Sequence, residues 1–248
     1  MKILIILAAF LMVMQPANAA GNFVTYQVNG KPYQGYFVTP SRQAPLVLLI
    51  HDWDGLTDYE VNRADMLAEL GYSVFAADLF GKGIRPTEVK DKRQHTGELY
   101  KDRTKMRELL KGALDTAVLQ GADRHNAVAM GYCFGGAAVL EYARSGADLK
   151  GFVTFHGGLK TPPGQDYQHT KGNLLIFHGS ADSNITMEQY AQLAVELEKN
   201  NINHEMTNYS GAPHAFTVFG SARYHADADK KSWTRFTQYL RETLKSED

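Results

Sequence analysis

The chain has one cysteine in 248 residues, Cys133. A single thiol excludes an intramolecular disulfide framework. Charge of one sign is also missing: 26 lysines and arginines stand against 27 acidic residues, a formal net charge of −1. That balance carries no electrostatic footprint for nucleic acid or an anionic membrane. No internal repeat, low-complexity tract or long linker interrupts the chain, and no short-range histidine or cysteine spacing marks a metal site. The sequence must therefore be read as an ordinary globular enzyme or binding module.

Its first residues read differently from the rest. Lys2 gives a short positive start, residues 3–14 are apolar, and Ala17-Asn18-Ala19 has the small-x-small form of a cleavage site. This pattern predicts a secretory signal peptide over 1–19, a cut before Ala20, and export, most simply to a bacterial periplasm. The competing reading is an uncleaved membrane anchor, for which the apolar run is short. No cysteine follows the cut, which argues against a lipid anchor, so no membrane association is expected after cleavage. Residues 20–248 suit one domain with a full core. In an oxidising compartment an idle thiol is a liability, so Cys133 is expected to pair between chains or to have a chemical task.

Short apolar runs alternate with amphipathic stretches. Residues 25–28 and 33–38 read as a hairpin about Asn29-Gly30, a turn dipeptide. Strands are expected at 46–50, 73–77, 127–130, 151–155, 174–177 and 204–209. Helices are expected at 59–70, 98–119, 134–143, 187–200 and 226–245. Apolar runs without alternation, separated by helices, predict a mostly parallel α/β sheet covered on both faces, with the antiparallel hairpin at one edge. Working residues then gather at the C-terminal strand ends.

Cys133 lies at such an end, in Gly131-Tyr132-Cys133-Phe134-Gly135-Gly136. This is a Gly-x-Ser-x-Gly nucleophile elbow with sulfur in place of oxygen. The turn from strand to helix is so sharp that side chains two positions away would collide. It also points a helix N-terminus at the sulfur, which favours a thiolate and a nearby oxyanion. A cysteine nucleophile needs a base, and the base needs an orienting group. Asp182, in His178-Gly179-Ser180-Ala181-Asp182, and His214, in Ala212-Pro213-His214-Ala215-Phe216, each follow a different strand. The order nucleophile, acid, histidine is that of α/β-hydrolases. The bland alternatives are a turn aspartate at 182, a histidine packed beside Phe216, and a buried structural thiol. For an oxyanion hole, the N–H of Phe134 is one donor and that of Trp53, after strand 46–50, is the candidate second.

With these motifs in hand, the chain resembles the dienelactone hydrolase family. The matching pieces are His51-Asp52-Trp53-Asp54-Gly55-Leu56, Ala77-Asp78-Leu79-Phe80, the cysteine elbow, the Asp182 segment and the His214 segment. The resemblance implies cofactor-free, metal-free hydrolysis of a small-molecule ester or lactone through an acyl-cysteine, with Cys133, Asp182 and His214 as triad. It also implies a role for Asp52, which stands where the family has a glutamate that holds the resting thiol; the alternative is a loop aspartate at a helix entry. The family's dienelactone-cleaving members carry an arginine four residues after the histidine. Here Val218 stands there, which speaks against dienelactone itself. Lys82, Arg85, Lys92 and Arg93 are candidate replacements, though a solvated basic loop is the plainer reading.

Three other functions compete. Cys133 cycling through sulfenic acid would make a thiol redox protein, with an external thiol to resolve it. His51, His156 and His178, all at strand ends, would form a metal site only if the fold gathered them, and sheet-end polar groups is the simpler account. A binding module that kept the fold and lost activity is the last.

Overall fold

The computed structural model describes residues 21–244. The expected signal peptide, 1–19, lies outside the described residues. Eight strands form one sheet: β1 (Asn22–Val28), β2 (Lys31–Val38), β3 (Pro45–Ile50), β4 (Ser73–Ala77), β5 (Asp123–Tyr132), β6 (Gly151–Phe155), β7 (Asn173–Gly179) and β8 (His204–Tyr209). Their spatial order is β1-β2-β4-β3-β5-β6-β7-β8. The β1–β2 and β2–β4 pairings are antiparallel and the rest parallel. This is the α/β-hydrolase arrangement, with the hairpin at one edge. Asn29 and Gly30 turn the hairpin at φ 50° and 72°, the left-handed pair that matches strand twist.

Among the described residues, six helices surround the sheet: α1 (Asp58–Glu69), α2 (Val89–Lys101), α3 (Arg103–Leu119), α4 (Phe134–Arg144), α5 (Met187–Lys199) and α6 (Ala226–Thr243). Every residue of β3 is buried. Leu46, Leu48 and Ile50 enter the core on one face, while Val47 and Leu49 enter that on the other. An apolar run without alternation is what a strand covered on both faces requires.

The single helix expected over 98–119 is two. Asp102 separates α2 from α3, with φ −108° and ψ 81°. Its carboxylate accepts the Lys105 N–H at 2.9 Å and so caps α3. The side chain competes with helix continuation for the backbone, and periodicity alone does not register that. The basic stretch read as a loop also becomes helical from Val89 onward, placing Lys92 and Arg93 on α2.

One buried cation joins distant parts of the chain. Arg63 on α1 donates to Asp229 of α6 at 2.5 Å and to the Thr217 carbonyl at 2.9 Å. Its guanidinium also faces the rings of Phe219 and Trp233. The Arg63 side chain is 1% exposed and that of Asp229 9%. Removing one member of a buried pair strands the other charge. Arg63→Met is expected to lower unfolding free energy by about 3–5 kcal/mol, read as an earlier urea midpoint at unchanged slope.

Candidate active site

The site lies at the C-terminal ends of the parallel strands. Cys133 follows β5 directly and has φ 51° and ψ −111°. That is a left-handed conformation for a residue with a side chain, held by the surrounding structure. A Cβ on Gly131 would overlap the Gly135 backbone, and one on Gly135 would overlap the Ile50 and His51 carbonyl oxygens. Both glycines are therefore fixed by space. Cys133 is half-buried, and Phe134 is the first residue of α4, so its N–H has no acceptor within the helix.

The fold brings Cys133, His214 and Asp182 together. His214 Nε2 lies 3.1 Å from Cys133 Sγ, and His214 Nδ1 lies 2.7 Å from Asp182 Oδ2. The other Asp182 oxygen accepts the N–H groups of Asn184 at 2.8 Å and Ile185 at 2.9 Å. Burial alone would raise the Asp182 carboxyl, but the hydrogen bond from His214 and these N–H groups hold it below its ordinary value. Burial likewise opposes charge on His214. The hydrogen bonds and charges of Asp182 and Cys133 outweigh it and raise His214 to about 10.

Three histidines frame the site without converging on one point. His51 lies 2.6 Å from the Asp52 carbonyl through Nδ1 and accepts the Leu79 N–H at 3.1 Å through Nε2. His156 reaches Thr217 Oγ1 at 2.8 Å, and its ring stands edge-on to His214 with centroids 5.4 Å apart. His178 stacks on Tyr190. Burial keeps all three below the ordinary histidine value. Among the described residues, no three histidine, cysteine or acidic side chains are grouped to hold a metal ion.

A cavity of about 640 Å³ opens over the sulfur. Asp52 and Trp53 form one wall, and Val218 and Arg223 another. Lys92 and Arg93 line it from α2; Lys92 Nζ lies 2.6 Å from Asp54 Oδ1 and above the Trp53 ring. Arg85, by contrast, lies 3.8 Å from Asp78. Asp52 Oδ1 accepts the Asp54 N–H at 2.8 Å. Burial, then the Asp54 charge, raises the Asp52 carboxyl to about 6. Sequence reading missed several wall residues, Tyr100 and Arg223 among them. No motif marks either: Tyr100 enters from the last turn of α2 and Arg223 from the segment before α6. Only packing reveals them.

The sequence model of the dienelactone hydrolase family matches residues 33–244. A chain from Synechocystis sp., bearing the provisional name carboxymethylenebutenolidase, is 27% identical over 85% of this chain and 92% of its own length. The solved structure titled m3DLH is 31% identical, covers 92% of this chain and all of its own, and superposes with TM-score 0.87. A dienelactone hydrolase-like promiscuous phosphotriesterase from metagenomic libraries is 29% identical with the same coverage and TM-score 0.86. An acylaminoacyl peptidase of Pyrococcus horikoshii shares the fold at 13% identity and TM-score 0.73, covering 94% of this chain and 43% of its own.

Proposed function

The chain belongs to the dienelactone hydrolase family and is a hydrolase; from that premise we propose that it cleaves a carboxylic ester or lactone through Cys133, with His214 as base and Asp182 as orienting acid. The observation that carries this reading is the continuous chain from Sγ through the imidazole to the carboxylate, at 3.1 and 2.7 Å. His214 Nε2 takes the thiol proton, and Asp182 holds Nδ1–H in the matching tautomer. The sulfur attacks the carbonyl carbon, and the N–H groups of Phe134 and Trp53 receive the developing oxyanion. Collapse expels the alkoxide, which takes the proton back from His214, and leaves an acyl-cysteine. Water then attacks the acyl carbon with His214 again as base. Its oxygen stays on the acid released, and the thiol is restored.

Asp52 on the cavity wall supplies a negative charge close enough to His214 for the two to influence each other. We assign it to the place of the family glutamate, tuning the thiol–imidazole proton. Arg93 and Arg223 give the wall positive charge, so substrates bearing a carboxylate belong in the assay.

The test is a panel of short-chain aryl esters, neutral lactones and carboxylate-bearing lactones, with a phosphotriester added because a similar protein bears that name. Turnover of an ester or lactone that prior alkylation of Cys133 abolishes is the expected result. A folded protein that leaves every ester and lactone intact sinks the proposal.

A further inference from the structure

Glu60 is a carboxyl that the mechanism above does not use, and its surroundings are unusual. It occupies the third helical position of α1, where its Oε2 accepts the Thr57 N–H and the Thr57 hydroxyl, each at 2.8 Å. A glutamate is almost never fully buried unless it is paired. Here Glu60 is 0% exposed. Its other oxygen faces the Asp52 N–H at 3.4 Å. Among the described residues no lysine or arginine forms an ion pair with it. The nearest basic residue on its own helix face, Arg63, is committed to Asp229 and the Thr217 carbonyl. Tyr132, at the end of β5, is near enough for the Glu60 charge to act on its hydroxyl. A buried carboxylate without a cation is expensive, and a second carboxyl nearby makes it more so.

Asp52 is that second carboxyl. It is 8% exposed, and the charged groups around it are Asp54 on its own loop, Lys92 on α2, and His214. His51 meets its carbonyl. The cations and the cavity thus lie on the Asp52 side, and Glu60 lies on the closed side.

We propose that Asp52 and Glu60 form an acid–carboxylate couple holding one proton at neutral pH, with Glu60 as the proton-bearing positioning residue and Asp52 as the single anion presented to the Cys133–His214 pair. This rests on the reading of Asp52 given above. The directions of the two carboxyls agree with it. Burial and then the Asp52 charge raise Glu60 to about 8, whereas Asp52 rises only to about 6. The two values belong to the couple as a whole. Loss of the Glu60 proton would put a second negative charge behind Asp52. That charge opposes both the thiolate and the oxyanion, so turnover falls as pH rises through about 8.

Two measurements test the couple. Infrared difference spectra of the wild-type protein, with ¹³C-labelled glutamate, read the proton without any turnover. A protonated-carboxyl band that shifts with the label, is present at neutral pH and vanishes as pH rises through about 8, is the expected result. In kinetics, the ratio of Glu60→Gln to wild-type kcat/KM is expected to rise about tenfold between pH 7 and pH 9.5, because the variant cannot ionise. A merely structural Glu60 would change kcat/KM by one factor at every pH. That flat ratio, or the absence of the labelled band at neutral pH, overturns the proposal. An enzyme inactive on every ester and lactone would instead sink the hydrolytic reading of the site, while the infrared band would still report on Glu60.

Discussion

Cys133→Ala is expected to remove ester and lactone turnover almost completely, by a factor on the order of 10⁵–10⁶ in kcat. Without sulfur there is no acyl-enzyme, and the rest of the triad then has nothing to activate. Loss of one triad member in a comparable serine enzyme costs about as much as loss of all three. The substitution itself is mild for the fold. Cys133 is half-buried, and alanine meets the same left-handed backbone that cysteine already accepts at φ 51°. Melting temperature should therefore stay near that of the wild type while activity disappears. Cys133→Ser should retain little activity, because a hydroxyl is far harder to deprotonate than a thiol and the oxygen sits closer to its own Cβ. Initial rates on the best ester, with intact-mass detection of an acyl adduct present in wild type and missing in Cys133→Ala, read the outcome. Wild-type turnover surviving in the alanine variant would remove Cys133 from the mechanism.

The second large effect is expected at Asp182. Asp182→Asn preserves shape but replaces the acceptor of the His214 Nδ1–H by a neutral amide, so kcat should fall by a factor on the order of 10²–10⁴. Stability should follow pH in a defined way. His214 is raised in the folded protein, to about 10. Its contribution is full below its unfolded value of about 6.5 and is lost as pH rises through about 10. Asp182 is depressed, so its contribution is full above its unfolded value of about 3.9 and is lost as pH falls through the folded one. The wild-type advantage over Asp182→Asn should thus be widest between about pH 4 and about pH 6.5 and fade toward pH 10. Urea unfolding across that range measures it. An equal advantage at pH 6 and above pH 10 would show that the pair is not an ion pair in the folded protein.

Much of the architecture was legible because it rests on local rules. The unbroken apolar run of β3 and the Asn29-Gly30 turn each announce a geometry locally, and Gly131 is crowded by the nearby Gly135 backbone of the same turn, although Gly135 itself is fixed by the end of β3. The chain order of Cys133, Asp182 and His214 places them after separate parallel strands, and the fold then sets them within hydrogen-bonding distance. Other features depend on packing between elements. Asp102 divides a helical stretch because its side chain captures an N–H, although the periodicity on both sides continues. Tyr100 and Arg223 enter the cavity because of how α2 and the segment before α6 lie against the sheet. Thr57 and Glu60 show the boundary well: the helix expected from sequence begins at residue 59 and makes no use of their capping box, and nothing in the spacing announces that Glu60 is sealed from water beside Asp52.

The separation in sequence between Cys133 and His214 has a consequence for biosynthesis. Cys133 and His214 are 81 residues apart, and His214 follows β8, the last of the described strands. During N-to-C synthesis the thiol leaves the ribosome well before the imidazole and the final strand exist. The nascent chain therefore carries Cys133 without its histidine neighbour, and the proposed nucleophile meets the proposed base only after β8 and the His214 segment have been made. On the proposed mechanism, triad-dependent reactivity thus waits until the His214 segment has joined the sheet, and a chain stalled before His214 cannot acylate itself by that route.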